Sequence, residues 1–181
     1  FVESDDLLNW RAQPELLVPD DIDEEIYSGF YPHFYGLPVF PIGEQYLGLL
    51  WILKAKDLAG EFGQTHIQLI SSHDGVHWIR EEGNRPPILD HGQPGEWDCG
   101  QIYTSNRPLK VGDELWLYYS GCDQEHSINL PKTVCSIGLA TAGYNRLASL
   151  TGSGAILTEV LSPRGPTLHL NYDGSQGRIR V

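Results

Sequence analysis

Ser72-His73-Asp74-Gly75-Val76-His77-Trp78 has a counterpart 68 residues upstream, Ser4-Asp5-Asp6-Leu7-Leu8-Asn9-Trp10. In both stretches a serine and an aspartate two positions apart can accept backbone N–H bonds in a tight turn. A tryptophan four positions later gives the following strand an apolar anchor. Other matches recur at similar intervals. Ile26-Tyr27-Ser28 parallels Ile102-Tyr103-Thr104, 76 residues on, and Ile67-Gln68-Leu69 parallels Ile137-Gly138-Leu139, 70 residues on. The stretch 46–51 parallels 114–119, and Ala142 to Ala148 reads as a third, eroded copy of the turn. A long repeat of this kind marks one supersecondary unit used more than once.

Between the turns the pattern is β. Residues 66–71 and 134–141 alternate with period two, and 44–53 is a run of aliphatic and aromatic residues bounded by Gly43 and Lys54. No stretch of helix length carries a clean 3.6 period; residues 7–18 come nearest and contain Pro14. The expected fold is all-β, a partial β-propeller of about two four-stranded blades over 1–150, followed by the start of a β-sandwich over 151–181. The first blade is expected to use strands near 25–35, 46–53, 66–72 and 76–80. The second is expected to use 100–108, 114–120, 134–142 and 146–150, and 7–11 would be the outer strand of an earlier blade. Further strands are expected at 167–170 and 177–181. A plain sandwich is the alternative. Two blades leave open sheet edges, so further propeller blades or another copy of the chain are expected to cover them. The chain has no methionine, and its last residues alternate like a strand, so it is read as a piece of a longer protein.

The chain has 181 residues, with 12 Lys+Arg against 24 Asp+Glu and a net charge of −12. This charge argues against nucleic acid as a partner, because phosphate binding needs clustered cations. No apolar run is long enough for a helix to cross a bilayer, so no membrane partner is expected. Of the three cysteines (Cys99, Cys122, Cys135) at least one must be unpaired within the chain, and localisation stays open, the secreted and periplasmic compartments included. Neither a cofactor nor a metal is expected. Cys122 and His126 form only an isolated Cys-x-x-x-His, without a second ligand pair at zinc-like spacing.

The candidate site residues stand where inner strands are expected to begin. Glu96-Trp97-Asp98-Cys99-Gly100-Gln101-Ile102-Tyr103 places a carboxylate beside two aromatic rings, a composition suited to sugar rings and their hydroxyls. Asp98 could equally cap its loop by accepting local N–H bonds. The acidic run Asp20-Asp21-Ile22-Asp23-Glu24-Glu25 precedes Tyr27 in the same way, with Glu25 as the second carboxylate of an acid/base pair. A solvated acidic loop is the plainer reading. Trp97, Tyr103, Tyr27, His33, Asp123 and His126 are the candidate substrate contacts. A carbohydrate is the expected partner.

The ordered set formed by Asp6 and Trp10, Ile26-Tyr27, Tyr46-Leu47-Gly48-Leu49, Ser72-x-Asp74-Gly75-x-x-Trp78, Trp97-Asp98-x-Gly100-x-Ile102-Tyr103, Tyr118-Tyr119-Ser120-Gly121 and Gly138-Leu139-Ala140-Thr141 resembles the second half of a glycoside hydrolase family 32-like protein. That family belongs to the five-bladed propeller superfamily shared with families 43 and 68. The turn also resembles the Asp-box of sialidase-type propellers, although Gly75 follows Asp74 directly. The tail, from Leu157-Thr158 to Gly177-Arg178-Ile179-Arg180-Val181, is similar to the start of the C-terminal sandwich in such proteins. The resemblance implies action on O-glycosidic bonds of fructosyl- or arabinosyl-type sugars. The family's Asn-Asp-Pro, Arg-Asp-Pro and Glu-Cys motifs do not occur here, so no family catalytic residue is carried over. Glu25 and Asp98 rest on position alone. A non-catalytic carbohydrate-binding or interaction propeller is the alternative.

Overall fold

The structure, a computed structural model, describes residues 2–12, 17–128, 131, 133–144, 146–149, 154–157, 165–168, 170–172, 175 and 178. The chain divides into two units, Phe1–Ala148 and Ser149–Val181. The described residues of the second unit carry no helix or strand.

The first unit is built on two antiparallel sheets. In the first sheet, β3 (Tyr31–Gly36) and β4 (Val39–Ile42) both run along β5 (Gln45–Ala55) and act as one strand bent at Leu37-Pro38. Next come β6 (Gly63–Ser72) and the short β7 (Trp78–Ile79). The second sheet repeats the plan. Both β8 (Gln101–Thr104) and β9 (Leu109–Val111) pair with β10 (Glu114–Cys122), and β10 pairs with β11 (Cys135–Gly143). Strand β5 is apolar on both sides because both its faces are covered. Leu50, Ile52 and Ile70 face Tyr27, Phe30 and Phe34, whereas Leu49 and Ile67 face Ile102 and Tyr119 of the second sheet.

The two sheets stack front to back. In the first sheet, Leu49 N donates to Pro38 O, so the β5 residues in phase with Leu49 pair narrowly with β3 and β4. Leu53, opposite His33, belongs to this set. In the second sheet, Ser105 N donates to Tyr118 O, so Tyr103 opposite Ser120 is in the narrow phase. In an L-chain, the direction of a residue's N–H and C=O fixes the face its side chain takes. His33 and Tyr103 therefore mark equivalent faces. The His33 face of the first sheet meets the second sheet through Ile102, which lies on the face opposite Tyr103. Unlike faces meet, as in successive propeller blades.

The repeated turn is reproduced bond for bond. Ser72 Oγ accepts from Asp74 N and Gly75 N, and Asp74 Oδ1 accepts from Val76 N and His77 N. Ser4 and Asp6 do the same for residues 6–9, between β1 (Val2–Glu3) and β2 (Arg11–Ala12). Gly75 takes φ +76°, and Leu7 holds the same left-handed conformation at 61°.

Four sequence expectations change. Glu25 does not open a strand, because residues Asp21–Ile26 form a helix, α1. Asp20 caps α1 and Asp23 reaches back to the Asp20 N–H, a reciprocal arrangement that competes with extended structure. Six residues are under two turns, too short to show a helical period. The match of Ile26-Tyr27-Ser28 with Ile102-Tyr103-Thr104 consequently joins a helix end to a strand. Residues 7–11 form the turn ahead of β2, and only Arg11 of them is in a strand. The second sheet has no fourth strand among the described residues, since 146–149 are not extended into one. Residues 167, 168 and 170 are likewise not in a strand, while most of the expected strand at 177–181 lies outside the described residues.

Candidate functional site

Asp98 lies in the turn leading to β8, only 8% exposed. Its Cβ rests against β10 at Gly121, 2.6 Å from where a Cβ of residue 121 would stand. Tyr119 on β10 donates to Asp98 Oδ2 at 2.8 Å. Trp97 stacks on the Tyr119 ring, centroids 5.7 Å apart and planes at 22°. Desolvation pushes the Tyr119 hydroxyl up to about 12, with the Asp98 hydrogen bond and charge adding to it, so Tyr119 stays a donor. Asp98 Oδ1 makes no hydrogen bond among the described residues, and it is not sealed from solvent, since the only buried unpartnered side-chain atom among them is Arg80 Nε. The open oxygen faces Gly92, whose amide N donates to Asp98 O. Glu96 Oε2 approaches the same gap and accepts from Gln93 N at 2.6 Å.

A second group forms where β3 and β8 carry their aromatic residues. Tyr35 OH and His126 Nε2 are 2.8 Å apart, with the rings edge to face. Tyr103 packs edge-on against Trp51 at 5.3 Å and donates to Gln101 Oε1. Desolvation, with Tyr35 nearby, pushes the Tyr103 hydroxyl up to about 12. The chain places Tyr103 and His126 in this group as expected candidates, and adds Tyr35, Trp51 and Gln101. His33 stands half-buried over Gly60.

Tyr27 belongs to a different environment, a buried polar chain on the other face of the first sheet. Arg80 donates both Nη atoms to Asp23, and its Nη2 also reaches Gln68 Oε1. Gln68 Nε2 donates to Tyr27 OH, and Tyr27 OH lies 2.7 Å from His66 Nε2. Because the Tyr27 oxygen accepts from Gln68, its proton goes to His66. Burial lowers the His66 pKa to about 4, so the ring is neutral and its Nε2 accepts. Arg85 donates two bonds to Asp20 and pairs with Asp23 at 3.0 Å. These partners hold the Asp20 carboxyl well below its usual range.

The remaining candidates have local partners. Asp123 exchanges backbone and side-chain bonds with Val134, closing the β10–β11 loop. Glu25 is exposed on α1, and no hydrogen bond, ion pair or ring contact among the described residues links it to Asp98. Cys122 is joined to Cys135 across β10 and β11, which removes it as a partner for His126 in metal binding; Cys99 is free. Among the described residues no group of three or more His, Cys, Asp or Glu side chains is arranged to hold a metal ion. Sequence reasoning missed Tyr119, Glu96, Tyr35 and His66 as site members. Glu96 stands in the same motif as Asp98, two residues before it. The others meet their partners only through the fold.

No protein-family model matches the chain, and no curated protein matches it. Two solved structures are similar in part. One is a complex of BT0996 with RGII, at 17% identity and a TM-score of 0.43, over 67% of this chain and 40% of its own. The other is a glycoside hydrolase, at 17% identity and a TM-score of 0.41, over 70% of this chain and 41% of its own. The chain thus spans well under half the length of either. At TM-scores below 0.5 neither likeness carries weight for the site, and membership of family 32 finds no support among the comparisons.

Proposed function

We propose that the chain is part of a carbohydrate-active protein of glycoside hydrolase type, acting on O-glycosidic bonds of fructosyl- or arabinosyl-type sugars. The observation that carries this reading is Asp98, a buried carboxylate with one oxygen held by Tyr119 and the other open beside Trp97. A carboxylate so placed can exchange a proton with a glycosidic oxygen or accept from a sugar hydroxyl. Trp97 and Tyr103 would offer ring faces, and His126 with His33 and Asp123 polar edges. Glu25 is kept as a candidate second carboxylate, and its exposure on α1 weighs against it. Tyr27 is engaged with Gln68 and His66 and would act on the site indirectly.

The test is a glycoside panel applied to the intact protein with Asp98→Asn and Glu25→Gln. Loss of turnover by at least about a hundredfold in Asp98→Asn is expected. Unchanged turnover in both variants removes the site assignment. The second reading, a non-catalytic carbohydrate-binding propeller, is favoured by the absence of any contact between Glu25 and Asp98 among the described residues. Sugar binding by calorimetry with no released product would establish it.

A further inference from the structure

The gap at Gly92 brings a second carboxylate to Asp98. A Cβ at residue 92 would stand 2.7 Å from Glu96 Oε2, and closer still to Asp98 Oδ1. Both oxygens crowd one point, so they lie within about 5 Å of each other, the scale on which paired carboxylates act on one sugar. Glycine is needed there because any side chain would fill the space between them. The two acids are held differently. Glu96 is exposed and accepts one backbone N–H through Oε2. Asp98 is buried, fixed through Oδ2 by Tyr119, and its Oδ1 has no protein donor among the described residues. A buried carboxylate oxygen left without a donor, yet open to solvent, calls for one from outside.

We propose that Glu96 and Asp98 form an acceptor pair that binds two neighbouring hydroxyls of a sugar ring, with Gly92 as the space the sugar edge enters. This rests on the carbohydrate reading above and names the second carboxylate of the site as Glu96. Two charged acceptors a few ångströms apart match hydroxyls on adjacent ring carbons, each of which donates one hydrogen bond. Tyr119 is the positioning residue: its hydroxyl occupies Oδ2 and turns Oδ1 towards the gap.

The experiment is an amide and indole NMR titration of the full chain with L-arabinose, with D-fructose, with 2,3,4-tri-O-methyl-L-arabinose and with calcium chloride. One of the free sugars is expected to shift the signals of Gly92, Trp97 and Asp98, and the methyl ether, which keeps the ring but lacks the donors, is not. Glu96→Gln and Asp98→Asn are each expected to raise Kd at least about tenfold. Gly92→Ala, which keeps both charges and only splays them, is expected to do the same, so the inference survives a folding failure of the Asp98 variant. Wild-type affinity in Glu96→Gln overturns the pair. Shifts centred on Tyr35 and Tyr103 overturn it too, while leaving the carbohydrate reading intact. Saturation of the same signals by calcium ions alone would show a cation site instead. No shift with either sugar anywhere in the chain defeats the carbohydrate reading itself.

Discussion

His66 accepts the last bond in a chain that begins at Arg80 and passes through Gln68 and Tyr27. Burial lowers its pKa from 6.5 to about 4. The unfolded chain therefore takes up a proton first as pH falls, and folding stability declines from about pH 6.5 until the folded ring titrates near 4. The loss across that window is on the order of 3 kcal/mol. Urea denaturation between pH 7 and 4 should show this slope, and His66→Gln should flatten it; equal slopes would mean the ring is not sequestered. Asp23, in the same network, is fully buried between Arg80 and Arg85. Removing it strands two guanidinium groups, so Asp23→Ala should cost about 3–5 kcal/mol. Asp5→Ala, which breaks only the exposed pair with Arg11, should change stability by under about 0.5 kcal/mol. Comparable losses in the two variants would contradict the burial of this network.

At the scale of elements, the β10–β11 hairpin is pinned at its loop end by Cys122 and Cys135, 13 residues apart in sequence. A link closing a loop of this length stabilises by about 3 kcal/mol, chiefly by restricting the unfolded chain. Guanidinium denaturation with and without reductant should show that loss, with Cys122→Ser/Cys135→Ser matching the reduced protein. No difference would show that the hairpin folds independently of the link. What the sequence revealed about these elements depended on distance along the chain. The Ser–Asp–Trp turn was legible because every bond that makes it spans three residues or fewer. Strand identity was legible from alternation and apolar runs. Helix α1 was not, because its cause is a cap between Asp20 and Asp23 that looks like any acidic loop. The candidate site was legible in Asp98 and Trp97, but Tyr119 lies 21 residues from Asp98 and His66 lies 39 from Tyr27. Only the pairing of strands brings such residues together.

Over the whole first unit, the property that distinguishes successive blades from a face-to-face sandwich is the meeting of unlike faces. Apolar contact alone does not fix that arrangement, because both faces of β5 are apolar. A directional link is needed, and Thr65 supplies one. Its Oγ1 donates to Ile102 O at 2.9 Å and accepts from Ile102 N at 2.7 Å, crossing from the first sheet to the second. Thr65 and Ile102 are both fully buried. Trp51 Nε1 adds a parallel bond to Thr104 Oγ1. Thr65→Val keeps the shape and removes the hydroxyl, leaving a backbone donor and acceptor of β8 without partners. The cost should be on the order of 3 kcal/mol, since each buried group left unsatisfied loses its full solvation. Thr65→Ser restores both bonds and loses only a methyl group, about 1 kcal/mol. Denaturation of the three proteins, with hydrogen exchange at the Ile102 amide, measures both effects. The valine variant should be the least stable and should exchange Ile102 fastest. If serine is as damaging as valine, packing rather than the hydroxyl bridge sets how the two sheets meet.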